Sequence, residues 1–347
     1  MKAFVMSAYG APESLTLTDL PHPVPGPGEV VVRVLATSVQ PYDWHLMRGQ
    51  PYVARIMPGG PGLRRPTITV LGADVAGRVE AVGRDVTRFA VGDEVYGMPK
   101  RGGFAEYACV PEGELVPKPR TLSFEQAAAV PMAALTAIIA VKHEGRVAAG
   151  QRVLVNGASG GVGTFAVQLA RAYGAAVTAV CGSRNAELLA ELGAEEVISY
   201  TEEDFTRQRG RYDLLVDVSG GPSAGRCRRA LTREGTYVAV GGPAGRWLQP
   251  AGHVFAALAA APFVKQRIAQ ADVVRWKENR RDLLELTGLI ERGAVTPVID
   301  RIYPFADLPA AVAYQERGHA SGKVVVSMLG DGADAPHEPG AQQGQGG

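Results

Sequence analysis

The feature that most constrains the fold is a turn of small residues between two apolar patterns, residues 153–163, which read VLVNGASGGVG. The β-branched run before the turn predicts a strand, and the spaced apolar residues after it predict a helix. A further apolar run, residues 176–180, predicts a second strand. Free N–H groups and the helix dipole at such a helix start favour a bound phosphate. The pattern therefore indicates a βαβ unit that binds a dinucleotide, although Ala158 replaces the first glycine of the usual fingerprint.

The turn itself supplies most of the candidate cofactor-binding residues. The residues expected to cradle the pyrophosphate are Ser159, Gly160, Gly161, Val162 and Gly163. The alternative is a glycine-rich turn in some other α/β unit. Ser219 is a further candidate because it follows a predicted strand, residues 214–218. Ligands of open α/β sheets bind beyond the carboxyl ends of the strands.

The segment after the second predicted strand indicates which dinucleotide binds. NAD-binding units usually carry Asp or Glu about 20 residues beyond the glycines, where the carboxylate binds the ribose 2′-hydroxyl. Here no acid lies between Gly163 and Glu187, and Ser183 and Arg184 stand at the expected place. A hydroxyl and a guanidinium suit a 2′-phosphate, which a carboxylate would repel. We therefore expect NADPH as cofactor, unless Arg184 is only a solvated residue at a helix start.

Composition excludes several classes of partner. The 347 residues are 46% hydrophobic and 20% charged with a formal net charge of +1, which describes a globular protein without affinity for nucleic acid or anionic membrane. The longest apolar stretches contain proline and are too short to span a bilayer. Three widely separated cysteines are typical of a reducing compartment. A cytoplasmic enzyme is the expectation.

The texture of the sequence changes near residue 123. Before it, short β-like runs separated by Gly and Pro predict a small barrel or sandwich. After it, strand patterns alternate with helix patterns, which predicts a parallel sheet. Residues 331–347 contain no large apolar residue and are expected to be a disordered tail.

Several segments together resemble one known family. They are residues 26–34 (GPGEVVVRV), 71–83 (LGADVAGRVEAVG), 91–97 (VGDEVYG), 103–107 (GFAEY) and 192–194 (LGA). This set resembles the medium-chain dehydrogenase/reductase superfamily, and within it the zinc-independent quinone oxidoreductases. The resemblance implies a GroES-like small β-barrel catalytic domain, residues 1–122 and 278–330, with a Rossmann-type doubly wound parallel sheet that binds NADP, residues 123–277, inserted between them.

The resemblance also allows a test for catalytic zinc. Zinc-dependent members hold the metal with a Cys after the first long strand and a His after a Gly. Here residues 37–43 contain no cysteine, and Ala73 stands at the histidine position. A structural zinc needs four clustered thiolates, and residues 97–115 contain only Cys109. We therefore expect no metal, which disfavours alcohol oxidation and favours hydride transfer from NADPH to a quinone or an α,β-unsaturated carbonyl.

Further candidate residues rest on the resemblance. Gln40 stands where quinone reductases often carry Asn, so its amide could bind the acceptor carbonyl or the nicotinamide ribose. Tyr52 lies near the position of an acidic Tyr in related enoyl reductases, but Pro51 shifts that alignment and Tyr42 competes with it; either could equally be a packing aromatic. The cofactor candidates added by the resemblance are Tyr200 on the adenosine phosphate and Gly241 and Gly242 on the nicotinamide side.

Other functions and the oligomeric state stay open at this stage. A non-catalytic NADPH-binding protein of the same fold and an alcohol or aldehyde reductase are the alternatives. A homodimer is expected through the nucleotide-binding domain, where an apolar stretch, residues 254–264, precedes a strand-like segment, residues 267–274. The competing interpretation is that residues 254–264 cover the acceptor pocket of a monomer.

Overall fold

The computed structural model describes residues 1–56, 61–242, 251–261 and 264–329. Within these residues the chain forms a seven-stranded sheet, a six-stranded sheet and a two-stranded sheet. The smallest one pairs β1 (Lys2–Val5) with β2 (Thr16–Asp19). The tail expected to be disordered, residues 331–347, lies outside the described residues.

The first part of the chain builds most of the seven-stranded sheet. Its strands are β3 (Glu29–Val39), β4 (Val75–Val82), β5 (Glu94–Gly97), β6 (Tyr107–Pro111) and β7 (Leu115–Pro117). Strand β3 is the longest, and its register against β4 shifts twice, after Val31 and after Val34. Such irregularities bend a strand, which lets a sheet curl around its own apolar face.

Helix α1 (Pro41–Arg48) begins two residues after the end of β3. Its first residue is a proline, whose fixed φ and missing N–H suit a helix start. The N–H of Gln40 donates to the Asp43 carboxylate at 2.9 Å, which ties the turn before the helix to its first turn. Gly49, at φ +59°, ends the helix in the left-handed conformation.

The middle of the chain builds the six-stranded sheet after two linking helices. The elements are α2 (Phe124–Ala128), α3 (Pro131–Ile138), β8 (Arg152–Asn156), α4 (Gly161–Ala172), β9 (Ala176–Cys181), α5 (Ala186–Glu191), β10 (Glu196–Ser199), β11 (Tyr212–Asp217), α6 (Ala224–Ala230), β12 (Leu231–Ala239), α7 (Ala251–Ala260) and β13 (Arg267–Gln270). All pairs are parallel and the order is β10-β9-β8-β11-β12-β13. The order reverses between β8 and β11, where open α/β sheets bind ligands.

Burial explains why the central strands read as continuous apolar runs. Val153, Leu154 and Val155 of β8 are fully buried, because helices cover both faces of the sheet. Helix α7, which contains most of the apolar stretch 254–264, packs Ala257 and Leu258 onto the cluster under β12. The described contacts of α7 are with strand β13 of the six-stranded sheet and with helix α6. The strand expected over residues 267–274 is shorter and ends at Gln270.

The last part of the chain returns to the seven-stranded sheet. Its elements are α8 (Asn279–Glu291), β14 (Ile299–Pro304), α9 (Leu308–Glu316) and β15 (Lys323–Ser327). Strand β15 pairs antiparallel with β3, Val324 opposite Val39, and parallel with β14. This return brings residues near 323 against residues near 40. No helix among the described residues is long and apolar enough to span a bilayer.

Candidate nucleotide and acceptor site

The turn after β8 has the geometry of a phosphate cradle. Gly157 takes φ +80°, and α4 begins at Gly161 with Gly160 as its N-cap. A Cβ on Gly163 would lie 2.2 Å from the Gly157 carbonyl oxygen, so only glycine lets the helix approach the turn this closely. The N–H groups of the first helical turn have no acceptor within the helix and can bind an anion.

A buried carboxylate fastens the strand ends beside this cradle. Asp217, at the end of β11, accepts from Asn156 Nδ2 at 2.8 Å, from the Tyr237 hydroxyl at 2.6 Å and from the Gly220 N–H at 2.9 Å. Burial and the Asp217 charge raise the pKa of Tyr237, so its phenol stays a donor. These bonds fix the loop that carries Ser219, next to Gly157 in the cradle.

The candidate glycines after β12 lie at the same edge of the sheet. The Gly241 N–H donates to the Asp217 carbonyl oxygen at 3.3 Å. A Cβ on Gly241 would lie 2.4 Å from the Val218 carbonyl oxygen, so this close approach requires glycine. Gly242 follows directly, and residues 243–250 lie outside the described part of the chain.

The candidate 2′-phosphate residues converge at the neighbouring strand ends. Ser183 and Arg184 belong to a 3-10 turn, Ser183–Asn185, that follows β9. Tyr200 follows β10, whose last residue pairs with the last residue of β9, and it is 66% exposed. Its ring lies beside Gly182, which precedes the 3-10 turn. A hydroxyl, a guanidinium and an exposed aromatic ring thus share one edge of the crevice.

A buried polar cluster lies where the two large sheets meet. Asp74 accepts from Ser38 Oγ at 2.8 Å, from the Met132 N–H at 2.9 Å and from the Gln40 amide. The Lys323 ammonium donates to Gln40 Oε1 and lies 3.9 Å from Asp74. Asp74 is fully buried, and Gln40 and Lys323 are each 3% exposed. We call Ser38, Gln40, Asp74 and Lys323 the Lys323 cluster.

Burial sets the charges in this cluster. Loss of hydration raises the pKa of Asp74 to about 6, against the opposing effect of Lys323. It raises the pKa of neighbouring Asp43 to about 7 and lowers the pKa of Lys323. Each shift disfavours the charged form, as expected for groups removed from water.

Lys323 also faces the phosphate cradle. Gly322, the residue before it, forms a parallel bridge with Gly160, and a Cβ on Gly161 would lie 2.8 Å from Lys323 Cδ. The aliphatic part of the Lys323 side chain therefore lies beside the start of α4, while its ammonium donates to Gln40. The sequence alone did not identify Lys323 as a site residue, although it directly precedes the apolar run of residues 324–326.

The acceptor candidates separate in the structure. Both ends of the Gln40 amide form hydrogen bonds inside the Lys323 cluster, and its contact with the acceptor carbonyl or the nicotinamide ribose stays a prediction. Tyr42 lies on α1, partly buried, and burial and then Asp43 raise its pKa. Tyr52 lies elsewhere, in a 3-10 turn (Tyr52–Ile56) that lines a 300 Å³ pocket. There the Arg55 guanidinium lies 4.8 Å from the Tyr52 ring.

The described residues do not fit a zinc ion. Among them no group of three or more His, Cys, Asp or Glu side chains is placed to hold a metal. Zinc needs three or four such ligands at matched distances. Ala73 is fully buried at the histidine position, and Asp74 beside it is engaged by the Lys323 cluster. The donor set in this part of the cleft is one of hydrogen-bond donors and a lysine.

Comparisons with known proteins agree with this architecture. The model of the alcohol dehydrogenase GroES-like domain matches residues 26–120, and that of a zinc-binding dehydrogenase matches residues 192–326. The mitochondrial NAD(P)H oxidoreductase RTN4IP1 of Mus musculus is 35% identical, over 95% of this chain and 89% of the relative. The chloroplast envelope quinone oxidoreductase homolog of Arabidopsis thaliana is 32% identical, over 94% and 98%.

A solved structure supports the same conclusion about the fold. The quinone oxidoreductase from Coxiella burnetii superposes with a TM-score of 0.81 at 30% identity and covers 95% of this chain and 99% of its own. The predicted fold class, a Rossmann-type sheet inserted into a GroES-like small β-barrel domain, is confirmed.

Proposed function

We propose, from the premise that this chain belongs to the medium-chain dehydrogenase/reductase superfamily and to its quinone-oxidoreductase-like members, that it transfers hydride from NADPH to a quinone or an α,β-unsaturated carbonyl without a metal ion. The membership makes the chain a nicotinamide-dependent oxidoreductase. The choice of NADPH and the class of acceptor are the proposal.

The observation that carries the proposal is the start of α4, where Gly322 bridges Gly160 and the Lys323 side chain lies beside Gly161. The free N–H groups and the positive end of the helix dipole at this place favour a bound anion. A pyrophosphate is such an anion, and the switch point between β8 and β11 is where a dinucleotide binds in such a sheet. The cradle residues Ser159, Gly160, Gly161, Val162 and Gly163 and the Lys323 ammonium would hold the pyrophosphate together.

The preference for NADPH rests on the edge formed by β9 and β10. Ser183 and Arg184 would bind the 2′-phosphate through a hydroxyl and a guanidinium, and Tyr200 would cover the adenosine end with its exposed ring. Charge-assisted bonds from an arginine to a phosphate are strong because they are short and can be bidentate.

The residues on the nicotinamide side have supporting tasks. When bound, NADPH supplies the hydride that reduces the acceptor. Ser219, Gly241 and Gly242 would line the cofactor at the carboxyl edge of the sheet. A tyrosine phenol is protonated at neutral pH, and burial raises the pKa of Tyr42 further, so Tyr42 would donate a hydrogen bond to the negative oxygen that develops on a quinone or enone. Gln40 and Asp74 position Lys323.

The proposed reaction is tested by measuring turnover with a panel of acceptors. Purified protein is treated with a chelator, and NADPH oxidation is followed with quinones, with enones and with simple aldehydes. The proposal expects turnover with quinones or enones and much less with aldehydes. Binding of NADPH without turnover of any acceptor would favour a non-catalytic binding protein. Turnover restricted to aldehydes would favour a carbonyl reductase. Either result would overturn the proposed reaction.

A homodimer in the cytoplasm completes the proposal. Strand β13 pairs with β12 on one side and ends the six-stranded sheet among the described residues. Pairing of β13 with its copy around a two-fold axis would continue the sheet. Light scattering at micromolar concentration should give twice the chain mass of 36.5 kDa, and a mass of one chain would contradict the dimer.

A further inference from the structure

A short segment that precedes the last strand of the seven-stranded sheet contacts both ends of the candidate nucleotide site. Residues 318–322 link α9 to β15, and we call them the strap. Gly318 at φ +74° and Gly322 at φ +109° mark its two ends. Glycine adopts this conformation without strain, so the strap can turn sharply between two rigid elements. The next residue, Lys323, is fixed because its N–H donates to the Val298 carbonyl oxygen at 2.8 Å.

The strap contacts the 3-10 turn that carries the candidate 2′-phosphate residues. Arg184 Nη2 donates to the His319 carbonyl oxygen at 2.5 Å. Ser321 Oγ donates to Asn185 Oδ1 at 2.9 Å. The partners lie 135 and 136 positions apart in the chain, so these bonds join the two domains.

The same strap contacts the pyrophosphate cradle at its other end. Gly322 forms the bridge with Gly160, and Lys323 follows directly beside Gly161. Within the strap, His319 and Ser321 therefore contact the 2′-phosphate turn, and Gly322 contacts the cradle.

The side chain of Arg184 explains how a bound phosphate could order the strap. An exposed arginine side chain has considerable rotamer freedom, and one hydrogen bond at the surface holds it weakly. The guanidinium has five donors in a planar fork, so it can keep the His319 carbonyl oxygen and bind a phosphate with its other N–H groups. A phosphate that immobilises Arg184 makes the bond to the strap persistent. Coupling of this kind is reciprocal, so an ordered strap also strengthens phosphate binding.

We propose that the strap is a specificity element for the cofactor, an inference that rests on the proposed function. The 2′-phosphate of NADPH, bound by Ser183 and Arg184, orders residues 318–322. NADH lacks this group and leaves the strap unchanged at the adenosine end. The hydroxyl of Ser321 and the carbonyl of His319 thus contribute to the choice of NADPH without lying in the cradle.

Hydrogen exchange with two fragments tests the proposal. The fragments 2′,5′-ADP and 5′-AMP differ only by the 2′-phosphate, and neither contains nicotinamide. At matched saturation, amides of residues 316–323 should exchange more slowly with 2′,5′-ADP than with 5′-AMP. The difference should vanish in the Arg184→Ala variant. Binding of 2′,5′-ADP with no difference in strap exchange would overturn the proposal.

Variants of Ser321 give a second test. Ser321→Ala should raise the Kd of NADPH roughly 2- to 10-fold, the range for one hydrogen bond, and leave the Kd of NADH unchanged. Ser321→Thr, which keeps the hydroxyl, should restore binding of NADPH. Ser14→Ala removes an exposed hydroxyl whose hydrogen bond is local and should change neither constant.

The outcomes separate this inference from the proposed function. An equal loss of NADPH and NADH affinity in Ser321→Ala would mean a purely structural strap and would contradict the inference alone. Failure of the unmodified protein to bind either dinucleotide would contradict the proposed function and, with it, the inference.

Discussion

The cradle after β8 and the Lys323 cluster face the same crevice, yet the chain builds them in different ways. The cradle is one contiguous stretch whose glycines are required by close backbone approaches. The Lys323 cluster joins residues from β3, from the segment before β4 and from β15, and Gln40 and Lys323 lie 283 positions apart. The cradle supplies backbone N–H groups and requires no buried charged side chain. The Lys323 cluster buries charged groups that only mutual contacts stabilise. The crevice therefore combines a local binding motif with a buried lysine that tertiary contacts bring to it.

The largest expected effect is a loss of stability when Lys323 is removed from the Lys323 cluster. Lys323→Met leaves Asp74 buried without its cationic partner, and such a loss costs about 3–5 kcal/mol in the free energy of unfolding. Urea denaturation measures it. Lys2→Met is the matched control, because the Lys2–Asp19 pair is 53% and 80% exposed and contributes under about 1 kcal/mol. Equal losses in the two variants would contradict the structural role of the cluster.

The next effect is a change in the affinity for NADPH relative to NADH, which differ at the adenosine end. Arg184→Ala removes a charged hydrogen-bond donor to the 2′-phosphate and should weaken NADPH by about 1.5–3 kcal/mol, with little change for NADH. Titration of each dinucleotide measures it. Arg207→Ala removes an 87% exposed arginine outside the site and should change neither. Equal affinities of the unmodified protein for NADPH and NADH would contradict the assignment of Arg184.

The pH dependence of stability tests the charges around the Lys323 cluster. Burial raises the pKa of Asp43 to about 7 and that of Asp74 to about 6, above unfolded values of about 4. A raised pKa stabilises the fold fully below the unfolded value, and this stabilisation is lost as the pH rises through the folded value.

For these two groups the free energy of unfolding should therefore fall between pH 4 and pH 7, by at most about 1.4 kcal/mol per pH unit for each group. Asp43→Asn should make this decline shallower than in the unmodified protein, because one titrating group is removed. Urea denaturation across the pH range measures the slope. Identical slopes in both proteins would show that Asp43 does not titrate in this window.

Removal of metal ions is expected to have no effect on activity. Exhaustive chelation should leave NADPH oxidation unchanged, since the described residues offer no metal site. Elemental analysis of the purified protein should find no stoichiometric zinc. Loss of activity on chelation with recovery on added zinc would refute the metal-free reaction.

The sequence allowed most of the fold to be predicted, because local patterns determine it. Strands β8 and β9 differ from the expectation only at their ends. Periodicity and the glycine turn are short-range signals, so they suffice for a βαβ unit. The segment 254–264 was ambiguous because an apolar run does not distinguish a helix from a patch that pairs with another subunit.

The site was less predictable where it depends on the return of the chain. Nothing near Gln40 in the sequence reveals that Lys323 will occupy its amide, since that contact arises from the pairing of β15 with β3. The resemblance likewise suggested Tyr52, whose ring lies 4.8 Å from the Arg55 guanidinium and whose role in the reaction stays a prediction. The available signal for Lys323 was a lysine at the head of an apolar run, residues 324–326.

The most direct test of the account is calorimetric titration of NADPH and NADH into three proteins, the unmodified chain, Arg184→Ala and Lys323→Met. The unmodified chain is expected to prefer NADPH, and the Arg184→Ala variant is expected to lose this preference. The Lys323→Met variant is expected to bind both dinucleotides more weakly by a similar factor and to keep the preference, because the pyrophosphate is common to both. A Lys323→Met variant that binds both as tightly as the unmodified chain would contradict the account.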